Sequence, residues 1–155
     1  MRISGEQTTA NLGITMAIKN IFAETTELKK GIDNLSVDDL KKEMADNEDL
    51  LLLDLREIQE VIDLGTIPGA VHCPRGMMEF WASPDSPYYR DYFQEDRRTV
   101  LFCAGGGRSV LAVKSLEDMG FKNVAHLEAG FGGWQKAEEN IEDFASTSRW
   151  VRRKD

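Results

Sequence analysis

Several classes of protein are excluded by what this chain lacks. It has two cysteines, Cys73 and Cys103, in 155 residues. Two cannot build a disulfide framework; they fit a reducing cytoplasm and leave a thiol free for chemistry. No apolar run approaches the ~18 residues of a membrane span. The N-terminus has no charged stretch followed by a continuous apolar segment, so no secretory signal is expected. Positive charge is in the minority: 19 Lys and Arg against 27 Asp and Glu give a net charge of -8. That balance argues against a broad nucleic-acid face. The basic cluster Arg149, Arg152, Arg153 and Lys154 reads as a solvated tail. The two histidines, His72 and His126, fall in or beside strands and read as packed and hydrogen-bonded. No His/Cys/Asp spacing resembles a metal site, and no cofactor is implied. A phosphate loop would need Gly-x-x-x-x-Gly-Lys, and a dinucleotide fingerprint would need a glycine where Val110 stands.

What is present suggests one domain with a single core and an added segment. Residues 1–34 read as an N-terminal extension, 35–142 as the main domain and 143–155 as a basic tail. From Asn11 the pattern predicts an amphipathic helix with Ile14, Ile18, Ile21 and Leu28 on one face, stopped near Gly31. Two roles are open to it: packing on the main domain, or docking, including a homodimer formed through it. Ser36 and Asp39 make a capping box for a second helix, with Leu35 and Leu40 placed as a hydrophobic staple. Val37, Leu40 and Met44 form its buried stripe.

Leu50–Leu53 and Thr99–Cys103 are apolar runs without alternation, the pattern of strands buried on both faces of a parallel sheet. Ala70–Cys73 and Asn123–Leu127 read as two more strands. Helices are expected over Glu57–Leu64, Arg75–Ala82 and Val110–Met119, the last lined by Ala112, Leu116 and Met119 and capped by Gly120. A final helix opens at Gly132-Gly133-Trp134, with Trp134 and Ile141 facing the core. Strands alternating with helices predict an α/β fold, a central parallel sheet flanked by helices on both faces. Sites in such folds lie beyond the carboxyl ends of strands, where Asp54-Leu55-Arg56 and Cys103 both stand.

The stretch Cys103-Ala104-Gly105-Gly106-Gly107-Arg108-Ser109 carries the chemistry. It puts a thiol between a buried strand and a helix start, where unpaired N–H groups and the helix dipole favour negative charge. Successive glycines let the backbone curl into an anion cradle, and Arg108 adds positive charge at its rim. The reading is a nucleophilic cysteine handling a small anion. Ser109 either donates to the sulfur's adduct or caps the helix. Asp54 reads as a hydrogen-bond acceptor or the partner of a nearby arginine. Arg56 and Arg75 either add positive potential near the pocket or lie on the solvated surface. Met77, Met78, Phe80 and Trp81 either shape a lid or pack in the core. Cys73 reads either as a small buried hydrophobe or as a resolving or redox partner.

The chain resembles the rhodanese domain over roughly Leu50–Glu138. The resemblance rests on four motifs in order: Leu-Leu-Asp54-Leu-Arg56-Glu57, Gly65-Thr66-Ile67-Pro68-Gly69-Ala70, the cysteine loop, and Leu127-Glu-Ala-Gly130-Phe-Gly-Gly133-Trp134. Thr66 stands where the family usually has a histidine. Arg75-Gly-Met-Met-Glu-Phe-Trp81 looks like an insertion found in some bacterial single-domain members. The resemblance implies a sulfurtransferase, in which a donor such as thiosulfate or a persulfide leaves a sulfane sulfur on Cys103. Cyanide or a protein thiol then takes it, in a ping-pong cycle. Phosphatase-like and arsenate-reductase-like relatives carry Cys-x5-Arg, whereas Cys103 and Arg108 are spaced Cys-x4-Arg, a tighter ring suited to a persulfide. The alternative reading is a non-catalytic or redox- or sulfur-sensing module.

Overall fold

The computed structural model describes residues 17–147. Ile14 and the basic cluster from Arg149 lie outside them. Five strands form one parallel sheet in the order β1-β5-β4-β2-β3. They are β1 (Asp33–Leu35), β2 (Leu51–Asp54), β3 (Val71–His72), β4 (Thr99–Phe102) and β5 (Val124–Leu127). The helices are α1 (Ile21–Leu28), α2 (Val37–Asp46), α3 (Ile58–Leu64), α4 (Met78–Ala82), α5 (Gly107–Met119), α6 (Gly130–Lys136) and α7 (Phe144–Thr147).

The unalternating strands are apolar on both sides because both sides are covered. Leu51, Leu53 and Leu101 pack with Ala112, Val113 and Leu116 of α5 and Met78 of α4. The intervening Leu52, Val100 and Phe102 point the other way, onto Leu40 of α2 and Phe131 and Trp134 of α6. Each buried side chain of this kind contributes about 1.5–3 kcal/mol. At the amino ends of the strands Arg98 ties three elements together. It donates to both oxygens of Glu43, to Asp33 and to the Asn123 side chain.

Local signals fix the helix ends. Ser36 and Asp39 form the reciprocal capping box, and both staple residues, Leu35 and Leu40, are buried. Gly120 closes α5 with its N–H on the Glu117 carbonyl, while the Phe121 N–H reaches Leu116.

Three expectations need correction, and one strand was not expected. Among the described residues the N-terminal helix begins at Ile21, where the Asn20 side chain accepts from the Phe22 and Ala23 N–H groups and caps it; the part of the expected helix from Asn11 to Met16 lies outside them. Ile18 therefore precedes the helix and is exposed. Met119 is on the open side of the last turn of α5, and Val113 takes its place in the buried stripe. Ile141 is exposed: α6 ends at Lys136, Glu138 adopts a positive φ of 58°, and the chain then pairs Glu142 with Thr66. β1 had no sequence signal; its partner is β5, Asn34 opposite His126. Of the two roles open to the N-terminal helix, the structure contains packing: α1 lies against α5.

Candidate active site

β4 is the middle strand, so its carboxyl end opens at the centre of the sheet's functional edge. Cys103 follows directly and its side chain is buried. The loop turns at Gly106, whose φ of +106° is a conformation that side chains resist. That turn aims the Gly106 N–H at Cys103 Sγ, 3.1 Å away. α5 begins at the next residue, so the sulfur faces the positive end of a helix of 13 residues. Gly105 and Gly107 border an open cavity, with no atom within 4 Å of where a side chain would begin.

The loop is held from behind by α6. The Phe131 N–H donates to the Cys103 carbonyl at 2.8 Å and the Gly132 N–H to the Ala104 carbonyl at 3.0 Å. The unpaired N–H groups that every helix start carries are here spent on the cysteine loop. Gly130 permits the approach, since a Cβ there would stand 2.5 Å from the Ala104 oxygen.

Arg108 borders the cavity together with Cys103. Its guanidinium grips Glu60 of α3 with two hydrogen bonds, at 2.8 and 3.0 Å. This pairing holds the Glu60 carboxyl below the usual carboxylate range and raises Arg108 further. Arg56 and Arg75 do not line the cavity. Arg56 is fully buried, bound in a fork to Asp54 at 2.9 and 2.7 Å, and lies 4.0 Å over the Phe131 ring. Thr66 donates to the same Asp54 carboxylate at 2.8 Å. Asp54 thus gathers Arg56 and Thr66 into one buried polar cluster. Arg75 pairs with Glu79 on its own turn. Met78 is buried in the core, Trp81 packs against it, and Phe80 is exposed; none of the three borders the cavity. Cys73 is buried in the core, and burial pushes its thiol up to about 12.

One participant escaped the sequence reading. His126 of β5 is packed and satisfied, and its partner is Ser109 of the cysteine loop. Asn34 donates its amide protons to the Lys29 and Ile32 carbonyls, so its oxygen faces His126 Nε2 at 2.7 Å. Nε2 therefore carries the proton, and Nδ1 accepts from the Ser109 hydroxyl at 2.7 Å. Ser109 Oγ stands 3.6 Å from Cys103 Sγ and presents lone pairs to the thiol proton. Burial, with Lys29 second, pushes His126 down to about 4, keeping the imidazole neutral. Only the strand order, which puts β5 beside β4, could have revealed this line of contacts.

Acid sensitivity follows from it. Unfolded His126 titrates near ~6.5, folded His126 near 4, so between these values the unfolded chain binds the extra proton. Its contribution is whole above pH ~6.5 and is lost as pH falls toward 4, about 3 kcal/mol in all. Urea midpoints for the wild type should fall between pH 7 and 5 by clearly more than those for His126→Gln. Equal falls would assign the acid loss to other groups.

A matching family model spans residues 36–137 and is described as the rhodanese-like domain. The chain belongs to the rhodanese-like domain family. Its relatives include sulfurtransferases by name. The Bacillus subtilis protein named "Putative sulfurtransferase YtwF" is 35% identical over 104 residues, covering 67% of this chain and 91% of that one. A protein of Allochromatium vinosum named "Sulfurtransferase" is 29% identical over 105 residues, covering 68% of this chain and 90% of that one. Among solved structures, RPA3614 of Rhodopseudomonas palustris is 42% identical, with a TM-score of 0.76 over 84% of this chain and all of that one. It is described as a protein of unknown function and possible tyrosine phosphatase. The rhodanese-like match begins at Ser36, so α1 and β1 precede it.

Among the described residues no helix is long and apolar enough to cross a membrane, and no group of three metal-ligating side chains converges.

Proposed function

We propose that this rhodanese-like protein is a sulfurtransferase that carries a sulfane sulfur as a persulfide on Cys103. The observation that carries the reading is the Gly106 N–H aimed at Cys103 Sγ at the head of α5. A thiolate attacks the outer sulfur of a donor such as thiosulfate; the new S–S bond forms as the old one breaks, and sulfite leaves with the electron pair. The persulfide is itself anionic and is held by the same N–H group and helix end. Cyanide or a thiol then attacks the outer sulfur and returns the thiolate. Ala104, Gly105, Gly106, Gly107 and Ser109 shape this cradle; Arg108 holds the loop against α3 through Glu60.

Phosphoryl transfer, suggested by the description of the Rhodopseudomonas palustris structure, suits this loop less. The arginine that would clamp a phosphate is one residue too close to the cysteine and is engaged by Glu60. Hydrolysis of p-nitrophenyl phosphate should stay at background.

Intact mass spectrometry after thiosulfate treatment should show one added sulfur, lost on adding cyanide, with thiocyanate produced. The Cys103→Ser variant should show neither, and peptide mapping should leave Cys73 unmodified. A wild-type protein that gains no sulfur from thiosulfate or from an organic thiosulfonate would refute the catalytic reading in favour of a sensing module.

A further inference from the structure

The cavity over Cys103 is larger and less cationic than an inorganic anion requires. Its volume is about 490 Å³, within the range of pockets that hold organic molecules. Part of its lining comes from α1, ahead of the family match: Ile21 and Phe22 border it together with Leu111 of α5. Phe22 is 77% exposed although it sits on a helix that packs against the domain. Its ring contributes little to the core, so its place at the cavity calls for another account.

The charge at the cavity points the same way. Two cations border it, Lys29 and Arg108. Lys29 is paired with Glu128 at 2.9 Å, and Arg108 is held by both oxygens of Glu60. Each positive charge is thereby offset, and the anion-directed features left at the sulfur are the Gly106 N–H and the helix end. That set suits a single negative charge on the reacting sulfur better than the two of thiosulfate. The remaining wall suits an apolar group attached close to it.

We propose that α1 supplies an apolar subsite to the active site, so that the preferred donor is an organic sulfane compound: a terminal anionic sulfur carried by an alkyl or aryl group that lies against Ile21 and Phe22. This rests on the sulfurtransferase reading and specifies its substrate class. With an organic thiosulfonate the step balances. Cys103 Sγ attacks the terminal sulfur, the donor's S–S bond breaks, and the sulfinate leaves with the electron pair. Burying the organic group removes apolar surface from water on both partners, a gain unavailable to thiosulfate.

The test compares benzenethiosulfonate with thiosulfate, cyanide being the acceptor for both. The wild type should favour benzenethiosulfonate at least ~10-fold in kcat/KM, and Phe22→Ser should cut that preference about tenfold. Phe22→Leu, which keeps an apolar surface, should retain most of it. Because Phe22 is exposed, neither change removes a core side chain. If both donors load Cys103 and the preference is absent, or unchanged in Phe22→Ser, the subsite is refuted while sulfur transfer stands. If neither donor leaves a sulfur on Cys103, both readings fall together.

Discussion

Asp54→Ala should cost about 3–5 kcal/mol of folding stability, a large share of the 5–15 kcal/mol typical of a domain. The carboxylate accepts from the Arg56 Nε, Nη2 and backbone N–H groups and from the Thr66 hydroxyl, all buried. Removing it leaves the Arg56 cation inside the protein with the Gly65 carbonyl and the Phe131 and Phe102 rings for company. Those contacts are too weak to replace a fork of charged hydrogen bonds. Arg56 is fully buried, so water cannot make up the loss without opening the fold. Urea unfolding of Asp54→Ala measures the penalty. Asp54→Ala combined with Arg56→Met should recover part of it, because the stranded charge is gone and the volume is kept. A single-variant loss below 1 kcal/mol would mean that the pair does not support the fold.

Gly106→Ala should lower sulfur transfer about 100-fold, the scale of losing one preorganised N–H donor at a reacting anion. A Cβ at this position would stand 2.5 Å from the Glu128 carbonyl oxygen, in a conformation with φ of +106°. Both facts push the loop to rotate, and rotation takes the N–H away from Cys103 Sγ. Because the conflict is with backbone rather than a flexible side chain, the β5–α6 connection has to shift as well. Steady-state kinetics with cyanide as acceptor would report the loss, and a change below threefold would show that Sγ does not depend on this donor. Gly105→Ala is the natural comparison: its added methyl meets open space, and its effect should be far smaller.

The parts of this molecule legible in sequence were those whose cause is local. The runs Leu50–Leu53 and Thr99–Cys103 announced strands covered on two faces because each side chain carries its own burial preference. The capping box at Ser36 and the stop at Gly120 are written in residues three or four positions apart. The strand-loop-helix carrying Cys103 is one continuous segment, so it too could be read. What could not be read depends on which strands are neighbours. Asp33-Asn34-Leu35 is a strand because β5 is beside it; nothing in three mostly polar residues says so. His126 meets Ser109 only once β5 lies against β4, and Glu60 meets Arg108 only once α3 has folded back beside the loop. Arg56 looked like a surface or pocket charge because sequence gives no depth. The start of α1 was overlooked for a different reason: Asn20 is a plain helix cap, and the apolar periodicity carried the helix through Ile18, which precedes it.

The strand order also decides how the protein meets an oxidant. Cys73 and Cys103 follow β3 and β4, whose last residues, His72 and Phe102, flank Asp54 on opposite sides. Two strand spacings therefore separate them, about 10 Å, against the ~7 Å limit between Cα atoms for a disulfide. Cys73 is buried as well, with its thiol pushed up to about 12. A sulfenic acid formed on Cys103 thus has no resolving thiol within the same fold. Its recovery depends on a thiol brought from outside, through the same opening that admits the sulfur donor.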